Sequence, residues 1–388
     1  MIELNAEEKA LAAKFSRLKE EAGSHSPSIF TFKQKLPELD IKIDACFLSN
    51  PYATDLFLEY FNREVMSTGK IRELLEFYPS QNQVIAELLG NFLKVAPEQV
   101  FVGNGAIEVI QAVIHNFTKK KILINIPTFS SYYEFAKDDI EVVYNNLKKE
   151  ENYQLNAANF LAKVKEEQPD TVVIINPNNP DGGYISFSEL ENILKELTAV
   201  DTIMLDESFI HFAYENSSLD PVSTLSLIDK YPNLVIIKSM SKDFGIAGVR
   251  AGYGVMSKER VHKLIKNGYL WNSNGLSEFF FRLYVRDDFA KDYELVRKRY
   301  IAETIEFIQQ LSKLKGIKVL PSKANFVLVE ILDGVKSMDF VTALLIKHGI
   351  YVRTANDKIG LEGQYIRVAS RNKEENDFMV KAFEQLLA

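Results

Sequence analysis

In the stretch SMSKDFGIAGVR, residues 239–250, Lys242 follows Ser239 and Ser241 and precedes a glycine-spaced arginine, Arg250. Desolvation or a neighbouring cation lowers a lysine's pKa and makes its amine nucleophilic, and Arg250 is the cation within reach. Three more stretches carry chemistry-bearing groups. VFVGNGAIEVIQAVIHNF (100–117) offers a tight Gly103-Asn104-Gly105 turn into a helix with Ile107, Ile110, Ile114 and Phe117 on one face. The free N–H groups and positive dipole end of such a helix suit a phosphate. VVIINPNNPDGGY (172–184) contains two Asn-Pro steps that fix the backbone and aim side-chain amides. TIMLDESF (202–209) ends an apolar run on Asp206 and Glu207, carboxylates that cap a helix or meet a cationic ligand atom.

Each of these signals alone also fits an ordinary turn, loop or cap. Together, in chain order, they amount to a phosphate-binding helix start, an Asn, an Asp and a Lys. Those are the parts that hold pyridoxal phosphate: donors for its phosphate and ring oxygen, a carboxylate for its ring nitrogen, an amine for its aldehyde.

The elements that must position these groups are legible from hydrophobic rhythm. From about residue 98, short β-branched runs (EQVFVG, KILINIP, EVVYNN, TVVIINP, TIMLDE, NLVIIKS, RAGYGVM) alternate with helix-length segments such as 105–117 and 186–197. That alternation predicts a mostly parallel sheet covered on both faces, with the polar groups at strand carboxyl ends, where ligands bind in open α/β sheets. Residues 6–22 predict an amphipathic helix, with Ala10, Leu11, Phe15 and Leu18 at helical spacing. A long helical stretch is predicted beyond residue 276, followed by a strand-and-helix mixture from about residue 313.

The chain has 388 residues and a formal net charge of −7. The length suits a large domain with a smaller one, and the charge leaves no basic surplus for a nucleic-acid backbone. The N-terminal stretch is charged throughout, without the apolar core of a signal peptide, and no run approaches the roughly 18 apolar residues of a spanning helix. No nucleic-acid or membrane partner and a cytoplasmic location are therefore expected. The single cysteine, Cys46, forms no intrachain disulfide, and the five histidines lack metal-ligand spacing, so no metal is expected.

With these residues in view, the chain over roughly 45–388 resembles the fold-type I pyridoxal-phosphate enzymes of the class I/II aminotransferase family, in the branch containing histidinol-phosphate aminotransferase and threonine-phosphate decarboxylase. SKDFGIAGVRAGY is similar to that family's Ser-Lys-x-Phe-Gly-(Leu/Ile)-Ala-Gly-x-Arg-x-Gly-Tyr signature, and NPNNPDG, LDESF and PSKANF resemble three others. The resemblance implies a three-layer α/β/α large domain with a mainly parallel sheet and a small C-terminal α+β domain. The divisions would be an N-terminal helix and arm (1–50) joining the small domain, a cofactor-binding domain (51–275), connecting helices (276–312) and the small domain (313–388). A homodimer with shared active sites is implied as well.

It also implies roles. Lys242 would be the Schiff-base lysine and would afterwards move the substrate's α-proton. Asp206 would pair with the ring nitrogen, Asn179 would donate to the ring's 3-oxygen, and Phe129 would stack on the ring. The phosphate would be held by the backbone at Ala106 and Ile107, by Ser239, Ser241 and Arg250, and by Tyr78 of a neighbouring subunit. Arg367 and Tyr52 would contact the substrate, and Arg353 is either a second contact with the substrate's anion or a solvated strand residue. Five positions depart from the family's usual pattern. Phe209 stands where a tyrosine is usual, Asp181 replaces a threonine, Ile107 lacks a side-chain donor, and Ser370-Arg371 replaces Gly-Thr. The expected reaction is amino transfer between an amino acid and a 2-oxo acid. Its alternative is decarboxylation of a phosphorylated or otherwise acidic amino acid, towards which Phe209 and the YIRVASR ending point. A catalytically inert module of the same fold would have no use for Lys242, Asp206 and Arg250 together.

Overall fold

The computed structural model describes residues 4–23, 26–270 and 272–388. In chain order its strands are β1 (Ile43–Asp44), β2 (Val100–Gly103), β3 (Lys121–Ile126), β4 (Glu141–Asn146), β5 (Thr171–Ile175), β6 (Thr202–Asp206), β7 (Leu234–Ser239), β8 (Gly252–Val255), β9 (Ile317–Val319), β10 (Phe326–Ile331), β11 (Ile350–Tyr351), β12 (Arg353–Thr354) and β13 (Tyr365–Ala369). β2 to β8 form one sheet in the order β2-β8-β7-β6-β5-β3-β4. β8 pairs antiparallel with both neighbours, and the other pairings are parallel.

The residues of β5, β6 and β7 are all buried, as a parallel sheet covered on both faces requires. The period-2 alternation sorts their side chains into two cores. Val172, Ile174, Ile203, Leu205, Leu234 and Ile236 pack under helices that include Pro51–Phe61, Asn82–Leu93 and Phe187–Glu196. Val173, Met204, Val235 and Ile237 pack with the helices Ala106–Phe117 and Lys258–Lys266 on the other face. The architecture is thus α/β with three layers.

A second, antiparallel sheet has the order β12-β13-β10-β9, and β1 pairs in parallel with β11 beside it. Its core takes Phe326, Val329, Leu344 and Ile366 together with Phe15, Leu18 and Phe32 from the N-terminal segment. Phe32 meets Tyr351 edge to face, ring centroids 4.8 Å apart. The N-terminal helix, Ala6–Ala22, is closed by an Asn5 capping box with Glu8 and so brings its apolar face to this second core.

The long helical stretch beyond residue 276 divides into two helices, Gly275–Tyr284 and Asp287–Leu311. Arg286 is extended (φ −85°, ψ 139°), and its guanidinium reaches Asp288 (2.5 Å) and Glu64 (2.7 Å). Asp287 and Asp288 then open the second helix, where acidic side chains meet the positive dipole end. Hydrophobic spacing alone runs through such a break. No helix among the described residues is long and apolar enough to cross a membrane.

Candidate active site

Strand register assembles the first part of the site. Ser239 lies opposite Gly252, and Gly252 lies opposite Gly103. The loop 240–251, with Ser241, Lys242 and Arg250, therefore folds back beside the Gly103-Asn104-Gly105 turn. Two glycines permit this approach. A Cβ on Gly105, whose φ is +85°, would lie 2.6 Å from Arg250 Nη2, and one on Gly252 would lie 2.4 Å from the Ala106 nitrogen. Arg250 itself adopts a left-handed φ of 62° and donates to the carbonyls of Ala247 (3.0 Å) and Asn104 (3.4 Å). The helix Ala106–Phe117 starts here. Its first N–H groups, at Ala106 and Ile107, have no intrahelical acceptor. These N–H groups, the hydroxyls of Ser239 and Ser241, and Arg250 all border one cavity of about 450 Å³. That is a cradle for a phosphate.

The cavity's next wall comes from the ends of β5 and β6. Asp206 is 4 % exposed; its Oδ2 accepts from the Tyr132 hydroxyl (2.8 Å) and its Oδ1 from the Ser208 N–H (2.8 Å). Burial pushes its carboxyl pKa up, and those hydrogen bonds oppose the shift. A carboxylate so placed can meet a protonated ring nitrogen. Asn179 accepts from Arg367 Nη1 through Oδ1 (2.8 Å), which leaves its Nδ2 as the donor towards the cavity. Phe129, Lys242 and Phe209 line the same space. Phe209 also packs edge to face on Phe326, centroids 5.0 Å apart.

Cations dominate the remainder. Removal from bulk water, then Arg367 and Arg250, lower the Lys242 pKa to about 8. Arg367 donates through Nη2 to the Cys46 carbonyl (2.7 Å), while its buried Nε has no acceptor. Burial, then Arg353, lower its pKa to about 10. Arg353 also lines the cavity, and donates to Ser26 Oγ (2.8 Å) and Asp357 (2.6 Å). It is a buried residue and not a solvated strand position.

Eleven of the expected site residues therefore converge on one cavity: Lys242, Asp206, Asn179, Phe129, Ala106, Ile107, Ser239, Ser241, Arg250, Arg353 and Arg367. Two do not. Tyr52 is not among the residues lining it in the single chain; its hydroxyl donates to Glu303 (2.7 Å) and accepts from Arg299 (3.0 Å), which ties two helices together. Tyr78 is 92 % exposed on the single chain and is not part of this wall. Among the described residues, no group of three His, Cys, Asp or Glu is arranged to hold a metal ion.

The model of the family described as Aminotransferase class I and II matches residues 52–383. The chain belongs to that family. Its members use pyridoxal phosphate, and the donors, carboxylate and amine just described fit that group. The chain is accordingly a pyridoxal-phosphate enzyme, in the branch that holds histidinol-phosphate aminotransferases and a threonine-phosphate decarboxylase. It is 58 % identical to an L-serine phosphate decarboxylase of Campylobacter jejuni, over 98 % of both chains. It is 47 % identical to an L-serine phosphate decarboxylase of Sulfurospirillum multivorans, over 99 % of this chain and 98 % of that one. The solved structure of a decarboxylase from Sulfurospirillum multivorans superposes with a TM-score of 0.95 at 46 % identity, covering 98 % of this chain and 97 % of that one. These relatives overturn amino transfer as the leading expectation. The motifs shared across the family specify the cofactor and not the bond that breaks.

Three neighbours of the site escaped the sequence reading. Tyr132 lies three residues after Phe129 on the same turn, and its spacing was a usable signal. Lys358 sits in an irregular loop between β12 and β13, and Lys19 on the amphipathic N-terminal helix beside its apolar face; neither has a local pattern.

Proposed function

We propose that this enzyme decarboxylates a phosphorylated amino acid, with O-phospho-L-serine as the substrate and O-phosphoethanolamine and carbon dioxide as products. The observation that carries this reading is the near full-length identity to two L-serine phosphate decarboxylases. The buried, acceptor-free Nε of Arg367 supports an anionic ligand at that end of the cavity.

In this reading Lys242 holds the cofactor covalently, Asp206 keeps its ring nitrogen protonated, Asn179 donates to its 3-oxygen and Phe129 covers its face. Ser239, Ser241, Arg250 and the N–H groups of Ala106 and Ile107 hold its phosphate. Bound pyridoxal phosphate supplies an electron sink for the pair released at the substrate's α-carbon. Arg367 and Arg353 hold the substrate's distal phosphate, so no guanidinium ties the α-carboxylate. The bond from the α-carbon to that carboxylate breaks, carbon dioxide leaves, and Lys242 is the group placed to return a proton to the α-carbon. Phe209 adds no second hydroxyl beside the ring oxygen, which leaves Asn179 to serve it.

Incubation of the holoenzyme with O-phospho-L-serine is expected to release carbon dioxide and O-phosphoethanolamine in equal amounts, followed by gas detection and mass spectrometry. Formation of the corresponding 2-oxo acid without carbon dioxide would refute the reading.

The working unit is proposed to be a homodimer. Leu75, Phe77 and Tyr78 are 74, 66 and 92 % exposed on one short segment, an apolar surface that a second copy would cover. With Tyr78 serving the partner's cofactor phosphate, Tyr78→Ala and Lys242→Ala chains mixed under exchanging conditions should recover about a quarter of wild-type activity, since about half the dimers are hybrids with one intact site each. No recovery despite demonstrated exchange would count against a shared site.

A further inference from the structure

The cavity wall formed by the second sheet and its loops carries more positive charge than the chain answers. Arg353, Lys358 and Arg367 line the cavity, and Lys19 reaches the same wall from the N-terminal helix, its Nζ 3.3 Å from Thr354 Oγ1. Two carboxylates stand close by. Asp357 bonds Arg353 at 2.6 Å, and Asp44 accepts from the N–H groups of Cys46 (3.0 Å) and Phe47 (3.1 Å). Glu134 also lines the cavity, and its carboxylate, like that of Asp357, favours the charged form of Lys358.

Both terminal nitrogens of each guanidinium donate to protein acceptors. Among the described residues Lys358 has no hydrogen-bond acceptor for its Nζ and one long ion pair. It is 7 % exposed, and its Nζ lies 3.9 Å from Asp357 Oδ2, beyond hydrogen-bonding reach. Burying an ammonium without acceptors is costly, and a chain carries such a group at a cavity wall where a ligand supplies them. The cations also press on one another. Burial, then Arg353, bring the Lys358 pKa to about 8, and the same two causes in the same order lower Lys19 and Arg367. An anion bound among them relieves that repulsion.

Charge separates the anions this wall could hold. A carboxylate or sulfate ester brings one negative charge, which Arg367 and Arg353 are equipped to meet. A phosphomonoester brings close to two, with three acceptor oxygens. We infer that Lys358, backed by Lys19, is the specificity-determining residue that reads the second negative charge of a phosphomonoester, so that a dianionic phosphate is preferred over a monoanionic group of the same shape. The inference deepens the proposed function and rests on it for the choice of substrate, but its test is separable.

The holoenzyme and the variants Lys358→Met and Lys358→Arg are assayed with O-phospho-L-serine and with L-serine O-sulfate, which share a tetrahedral ester and differ by one charge. Inhibition by inorganic phosphate and by sulfate is measured alongside. Wild type is expected to favour the phosphate ester. Lys358→Met should lose about 100-fold in kcat/KM for the phosphate ester and about 3-fold or less for the sulfate ester, with Lys358→Arg restoring most of the difference. Inhibition by phosphate should weaken in Lys358→Met while inhibition by sulfate stays. Equal losses for both esters, or none, overturn the inference. Should wild type release no carbon dioxide, the proposed reaction fails, while spectral titration of the cavity with phosphate and sulfate still decides the role of Lys358. If Lys358→Met does not fold, Lys358→Gln makes the same comparison.

Discussion

Lys242→Ala is expected to abolish turnover of O-phospho-L-serine, by at least about 10⁴-fold, while the protein stays folded. In the proposed function Lys242 has two jobs, capturing the cofactor's aldehyde and moving a proton at the substrate's α-carbon, and an alanine does neither. The fold does not depend on its amine. The loop that carries it is fixed by backbone contacts, the Asn50 N–H bonding the Lys242 carbonyl (3.0 Å) and Met240 bonding Ala251 (3.1 Å). An amine with a pKa near 8 is about one quarter unprotonated at pH 7.5, against about one part in a thousand for an ordinary lysine. Because only the unprotonated form attacks an aldehyde, capture of pyridoxal phosphate by cofactor-free protein should quicken as pH rises towards about 8 and level off above it. Borohydride reduction of the holoenzyme followed by peptide mapping should find the cofactor on Lys242. A label on another lysine, or substantial turnover by Lys242→Ala, would remove the assignment.

The parts of the site visible in the sequence are those whose position follows from their own strand. Asn179, Asp206 and Lys242 each come within a few residues of an apolar run, and a strand's carboxyl end is one place in a parallel sheet. Gly105 is legible for a related reason, since a tight turn into a helix at positive φ demands a missing Cβ. Reaction type is not local. In the proposed function it depends on which anion of the substrate meets Arg367, Arg353 and Lys358, three residues on a different sheet and its loop, and on Lys19 more than 330 positions earlier. Tyr132 reaches Asp206 across 74 positions, a contact that only the packed sheet creates. The surroundings of Tyr52 were equally hidden, since its hydroxyl is taken by Glu303 and Arg299 on the long helix about 250 positions later. The break at Arg286 was invisible because apolar spacing continues on both sides while the backbone there is set by ion pairs.

Arg367→Ala should lower kcat/KM for O-phospho-L-serine by about 10²- to 10³-fold while the purified protein keeps its cofactor. Two effects contribute and can be separated. Loss of the guanidinium removes a buried charge-assisted contact to the substrate's phosphate, which raises KM. It also frees Asn179 Oδ1, so that the amide can turn and its Nδ2 no longer points dependably at the cofactor's ring oxygen, which lowers kcat. Arg367→Lys keeps a charge but cannot span Asn179 and the Cys46 carbonyl with two nitrogens of one plane, so it should recover part of KM and little of kcat. Removing Arg367 also takes away the second of the causes that depress the Lys242 amine, after burial. The pH midpoint of cofactor capture by the cofactor-free Arg367→Ala protein should therefore move upward. A variant that purifies without cofactor would instead place Arg367 in the cofactor's phosphate site, and an unchanged kcat/KM would mean that the substrate's anion is held elsewhere.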